Sequence, residues 1–200
     1  VYCVPGESYL ALLDALYGSS IEIIICRHES GAGFMAVAEA RLTGKPAVFL
    51  VSRGPGATNG SIAIHVAEQD ATPVLLFIGQ VSREERSRGA FQEVDYTQFF
   101  GGMAKGIYEI HDGRKIGEIV TRSLRLTAEG KPGPVIISLP EDVLSDDAGE
   151  IVPSPFPPVA AHHGPGDIAA IQAMIEEANR PIVVAGAMLR DDYLAAMSSA

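Results

Sequence analysis

Cysteine is scarce: Cys3 and Cys26 are the two in 200 residues. They stand far apart without C-x-x-C spacing, so they offer no disulfide framework and read as small buried hydrophobes in a reducing compartment. Long apolar runs are missing too. None approaches the ~20 residues that span a bilayer, and the first residues lack the basic-then-apolar order of a signal peptide, so the expectation is a cytoplasmic protein without a membrane partner. Basic charge is the third shortage, with 15 Lys and Arg against 25 Asp and Glu and a net charge of −10. The one local concentration, Arg83 to Arg88, also contains Glu84 and Glu85, which argues against nucleic acid as a partner. What is plentiful is core material. With 47% hydrophobic and 20% charged residues, the chain can bury a sizeable interior, and its length fits one ordinary domain plus a remainder.

One stretch organises the rest. Ile21 to Arg41 reads IEIIICRHESGAGFMAVAEAR, in which Ile21 to Ile25 form a β-branched run of the kind buried on both faces of a sheet. Arg27, His28 and Glu29 break that run. Apolar residues then recur at helical spacing (Phe34, Val37, Ala38, Leu42) until Thr43-Gly44. The pattern predicts strand, turn and helix, with the Glu29 carboxylate where strand hands over to helix. Ligands of open α/β sheets bind beyond the carboxyl ends of the strands. A carboxylate near a helix N-terminus is also favoured by the macrodipole alone, so position by itself leaves Glu29 open to a plain structural reading. Gly31 to Ala36 further fits the dinucleotide fingerprint G-x-G-x-x-A. Four residues separate it from its strand, however, and no acidic residue ends the next strand at Val51.

The remaining chain repeats the alternation. Val1 to Val4 reads as the end of a strand whose start lies outside the sequence, which suggests a fragment or trimmed termini. A turn follows at Pro5-Gly6, then a helix from Glu7 to Tyr17 with Leu10, Leu13 and Leu16 on its apolar face. Further strands are expected at Pro46 to Val51, Val74 to Ile78, Met103 to Ile110 and Pro134 to Leu139. Ser52 to Asn59 reads as a loop whose glycines let the backbone approach a ligand closely, with Thr58 or Asn59 capping a helix that runs to about Ala71. Ser82 to Tyr96 is a charged loop, and Gly113 to Glu129 is an amphipathic helix with Ile116, Ile119, Val120, Leu124 and Leu126 inward. The fold class is therefore α/β: an open parallel sheet with helices on both faces. We expect this domain over residues 1–150, a Pro-rich linker over 151–166 (Pro153 to Pro158, then His162-His163, taken as linker rather than metal ligands), and over 167–200 the start of a second α/β domain, with a helix from Asp167 to Asn179 and a strand from Pro181 to Ala185.

Four blocks, RHESGAGFMAVAEA, SRGPGATNGSIAIHVAEQDATPVLLFIGQV, GAFQEVD and KPGPVIISLPEDV, resemble in order and spacing the pyrimidine-binding domain of thiamine-diphosphate enzymes, in particular the acetolactate-synthase-like group. The resemblance runs from about Val4 to Leu144. It implies that Glu29 hydrogen-bonds N1′ of the cofactor's aminopyrimidine and shifts its tautomer, so that the cofactor becomes a carbanion equivalent toward a 2-keto acid, carbon dioxide leaves, and the activated aldehyde passes to an acceptor carbonyl. Pro5, Gly6, Gly54, Pro55, Thr58 and Asn59 would border the cofactor, and Phe91, Gln92 and Lys105 the substrate channel. It also implies a homodimer or tetramer formed through the edge of this domain, and a diphosphate site with Mg2+ in a C-terminal domain outside this sequence, since the metal-binding GDG motif is missing. Two departures bear on detail. Lys131 stands where the FAD-carrying members have arginine, which makes FAD doubtful. Gly106 stands where a bulky aromatic is usual, which bears on the acceptor. Other thiamine-diphosphate decarboxylases, oxidases or lyases, a nucleotide-binding module using Gly31 to Ala36, and a non-catalytic paralogue are the competing readings.

Overall fold

Runs of Val, Ile, Leu and Phe too continuous to alternate between core and water settle as strands covered on both sides. The computed structural model describes residues 1–151 and 163–182, with 184, 186 and 188. Its elements follow the chain as β1 (Tyr2–Cys3), α1 (Leu10–Leu16), β2 (Ile24–Ile25), α2 (Glu29–Thr43), β3 (Ala47–Ser52), α3 (Arg53–Gln69), β4 (Val74–Gln80), α4 (Tyr96–Phe100), β5 (Gly106–Glu109), α5 (Ile116–Ala128), β6 (Val135–Pro140) and α6 (Pro165–Glu177). The strands form one six-stranded sheet in the order β2-β1-β3-β4-β6-β5, every pairing parallel. All carboxyl ends therefore lie along one edge.

Alternate side chains of the central strands feed two cores. Phe49, Val51, Leu76 and Ile78 pack with Ala32, Ala36, Ala63 and Ala67 of α2 and α3. On the other face Leu75, Ile137 and Leu139 pack with Ile116, Ile119, Val120 and Leu124 of α5, and Leu50 packs with Leu12 and Leu13 of α1. The expected α5 face is thus the observed one.

Three expectations needed correction. The isoleucine run is not buried on both faces: β2 is two residues long, pairs with β1 alone, and leaves Ile24 36% and Ile25 61% exposed, because it is the edge of the sheet. On α2 the buried residues are Ala32, Gly33, Ala36, Val37 and Ala40, while Phe34 and Leu42 face out. The small residues win because α2 and α3 lie so close. A Cβ on Gly33 would stand 2.4 Å from Ala63 Cβ, nearer than any pair of carbons can pack. In the first helix Leu13 packs inward as expected, with Leu12 beside it, but Leu10 is exposed because Glu7–Tyr9 is a 3₁₀ turn that offsets the register.

Helix α2 ends where Gly44 takes the left-handed conformation (φ 67°) and donates to the Ala40 carbonyl, as the Thr43-Gly44 signal foretold. The chain divides into two compact units, Val1–Pro158 and Val159–Ala200. In the second, α6 starts with Pro165 and its Asp167 carboxylate accepts the Gly164 N–H at 3.0 Å. The prolines from Pro153 to Pro158 and His162 lie outside the described residues, as do parts of the segment from Pro181 to Ala185.

Candidate functional site

Beyond β2 the chain turns through Cys26 to His28, and α2 opens on Glu29 itself. His28 caps the helix in extended conformation (φ −153°, ψ 141°), its Nδ1 accepting the Ser30 N–H at 3.2 Å and pairing with Ser30 Oγ at 2.8 Å. This satisfies one of the free N–H groups at the helix start. Glu29 is half-buried at the carboxyl edge. Its Oε2 accepts a 2.9 Å hydrogen bond from Asn59 Nδ2, delivered from α3 thirty residues later. The Gly33–Ala63 contact sets the distance between the two helices, and the approach of Gly60 to the Phe49 ring, 3.2 Å from a built Cβ, seats α3 on β3.

Thr58 and Asn59 do not cap α3. The helix begins at Arg53, with Ser52 in the capping position making no side-chain bond to the helix and pairing instead with Ser8 Oγ at 2.8 Å, so Gly54, Pro55 and Gly56 form its first turn. Proline is tolerated there because first-turn N–H groups have no helical partner. Thr58 Oγ1 bonds the Gly54 carbonyl at 2.8 Å, and Asn59 is carried onto the outer face of the second turn. Glycine at 54 is required by close approach: its N–H donates to the Gln92 carbonyl at 2.9 Å, and a Cβ would stand 2.8 Å from Val94 Cγ2. Gly6 is equally confined, with a built Cβ 2.3 Å from Ser52 Cβ. Pro5, Gly6, Gly54, Pro55, Gln92 and, on the same loop, the 75% exposed Phe91 therefore gather at the carboxyl edge with Glu29, Thr58 and Asn59.

Sequence reasoning passed over Arg53. Its backbone is left-handed (φ 47°), a conformation costly for a residue with a Cβ, and its mostly buried guanidinium bridges Glu141 at 2.7 Å and Glu7 at 3.4 Å. One side chain thus ties the β1 turn, the start of α3 and the end of β6. No local pattern signals it, since its partners lie 46 residues before and 88 after.

The charged loop after β4 is held at both ends. Arg83 grips Asp142 at 2.6 Å and Asp146 at 2.9 Å, and Arg86 lies between Glu93 and Glu109. The Ser87 N–H, helped by Ala90 and Arg86, holds Glu93 below the ordinary carboxylate range. Burial pushes Asp142 up, but the Arg83 side-chain and backbone hydrogen bonds outweigh it and leave a net lowering. Groups with lowered values stabilise fully above the usual carboxylate pKa of about 4 and cease to do so as pH falls through the lowered value. Limited proteolysis between Arg83 and Glu93 is expected to accelerate below about pH 4, and to be fast already at neutral pH in Asp142→Asn.

Lys105 stands apart from this cluster. It precedes β5 and its N–H bonds the Pro134 carbonyl, which puts it at the amino edge, across the sheet from Glu29. Its Nζ donates to the carbonyls of Leu126 and Glu129, closing the C-terminus of α5, and burial pushes its ammonium below the ordinary value. Lys105→Met is expected to lower stability by about 1–3 kcal/mol, measured by urea unfolding. Gly106 lies at the same edge, where a Cβ would meet Leu126 Cδ2 at 2.9 Å.

The glycines of the fingerprint segment, Gly31 and Gly33, fall inside α2, and Gly33 is spent on packing against Ala63 rather than on a phosphate-facing turn. No group of three or more His, Cys, Asp or Glu side chains among the described residues could hold a metal ion. No described helix is long and apolar enough to cross a membrane.

Residues 1–99 match the family described as thiamine pyrophosphate enzyme, N-terminal TPP binding domain. Among curated proteins, the chain is 35% identical over 187 residues to the acetolactate synthase of Bacillus subtilis (strain 168), an alignment covering 93% of this chain and 33% of that protein. It is 32% identical to the catabolic acetolactate synthase of Raoultella terrigena, over 94% of this chain and 34% of the relative. It is 37% identical to the acetolactate synthase isozyme 1 large subunit of Escherichia coli (strain K12), over 92% and 33%. The chain spans about a third of the length of these relatives.

Proposed function

Because the chain belongs, through residues 1–99, to the thiamine-pyrophosphate enzymes as their N-terminal cofactor-binding domain, we propose that it supplies the pyrimidine half of a thiamine-diphosphate site in an acetolactate-synthase-like enzyme. The observation that carries this reading is the Glu29 carboxylate at the carboxyl edge, one oxygen held by Asn59 and the other without a hydrogen bond among the described residues. Thiamine diphosphate, when bound, supplies the carbanion equivalent that attacks the keto carbon of a 2-keto acid.

Glu29 is the catalytic residue in this proposal, because a carboxyl group can both give and take the proton at N1′ of the pyrimidine ring. Gly54 and Pro55, in the first turn of α3, border the ring with backbone and proline carbons, Thr58 braces that turn through the Gly54 carbonyl, and Pro5 with Gly6 closes it from the side of β1. Phe91 and Gln92 border the approach of the substrate. Lys105, committed to α5 at the far edge, is left out of the proposed site.

Exposed Phe34, Met35 and Ile62 on α2 and α3 support pairing of two copies through this face, with the diphosphate and Mg2+ bound by a further domain of the partner. FAD forms no part of the proposal: Lys131 is paired with Glu68 at 2.9 Å.

The test is made on the full-length protein: calorimetric binding of thiamine diphosphate with Mg2+, then carbon dioxide release from pyruvate with and without an added acceptor carbonyl. Saturable binding with cofactor-dependent coupling of two carbonyl compounds is expected. Release without coupling would point to a decarboxylase of the same family, and absence of cofactor binding would overturn the reading. The 200 residues alone are expected to show no carboligation, because they carry one half of the site.

A further inference from the structure

Glu29 ends in three flexible torsions, so its carboxylate has many orientations open to it unless something selects one. Among the described residues its sole hydrogen bond comes from Asn59, since the neighbouring His28 ring is turned to Ser30. We infer that Asn59 is a positioning residue: its amide, by fixing Oε2, aims Oε1 at the cofactor ring. The inference rests on the function proposed above.

The side-chain chemistry suits that task. An amide donates a directional N–H without bringing a charge, so it orients the carboxylate without neutralising it as lysine would or repelling it as aspartate would. Serine at this place is too short to reach. The reach itself is built into the fold. Gly33 against Ala63 sets the separation of α2 and α3, Gly60 against Phe49 seats α3 on β3, and together they put Nδ2 at 2.9 Å from Oε2. A side chain on Gly33 would push the two helices apart, and one on Gly60 would lift α3 from β3; either shift would break the bond.

The experiment uses full-length protein with thiamine diphosphate and Mg2+. It compares Asn59→Leu, similar in size but without a donor, with Asn59→Gln, which keeps the donor on one more methylene, and with Asn59→Ser, which falls short. Hydrogen exchange at C2 of the bound cofactor reports what Glu29 does, calorimetry reports cofactor affinity, and the thermal midpoint reports folding. The leucine and serine variants are expected to exchange about 10- to 100-fold more slowly with cofactor affinity unchanged, and the glutamine variant to regain most of the loss. Either the leucine or the serine variant suffices if the other fails to fold. Wild-type exchange in both, with Glu29→Gln slow, would overturn the positioning role and leave the proposed function intact. Wild-type exchange in Glu29→Gln would overturn both. A rate loss matched by an equal loss of affinity would mean that Asn59 binds the cofactor directly, and would overturn the inference.

Discussion

Glu29→Gln in the full-length protein is expected to slow hydrogen exchange at C2 of bound thiamine diphosphate by about 10²- to 10⁴-fold, the range that positioned acid–base groups contribute. Glutamine keeps the length and hydrogen-bonding shape of the side chain and removes its capacity to carry a proton. The cost to folding should be small by comparison. Glu29 sits half-buried at the first position of α2, where losing a charge forfeits about 0.3–1 kcal/mol of helix-dipole stabilisation. A thermal midpoint close to wild type with exchange nearly abolished is therefore the expected pair of results. Exchange at the wild-type rate would end the assignment of Glu29.

The second large effect lies at the helix seam. Gly33→Ala should be destabilising even though alanine favours a helix interior over glycine by about 1 kcal/mol. The new methyl would stand 2.4 Å from Ala63 Cβ and 3.3 Å from two carbons of the Phe49 ring, and neither neighbour is the far end of a flexible chain. Overpacking of this kind costs about 1–3 kcal/mol, to be measured by urea unfolding. Adding Ala63→Gly should restore most of the loss, because the double variant moves the methyl across the seam rather than adding one. Stability of Gly33→Ala equal to wild type would show that the two helices are free to separate.

How much of this could be read from sequence depended on what each residue packs against. β3, β4 and β6 were legible because Val, Ile, Leu and Phe run without interruption through them and the sheet covers both faces. The isoleucines of β2 carry the same signal but end at the sheet edge, and a local pattern contains nothing about who the neighbours are. The α2 face was misjudged because alanine and glycine rank as weakly apolar, although they are the residues that let two helices touch. The start of α3 was misread because Gly-Pro-Gly punctuates turns more often than it opens helices. Glu29 was singled out by its place between strand and helix, and the family resemblance supplied the chemistry proposed for it. Its bond to Asn59 and the Arg53 bridge depend on how distant segments are brought together, which periodicity does not encode.

Lys105 and Glu29 occupy opposite rims of one sheet. The lower rim, with Lys105 locking α5 and Gly106 under Leu126, is where damage is expected to show as lost protein, whereas on the proposed function damage at the upper rim would show as lost catalysis in a folded protein. A mutational survey scored by cellular abundance would therefore map the first rim in detail and pass over the second, and variants at Glu29 would accumulate unnoticed among those judged harmless.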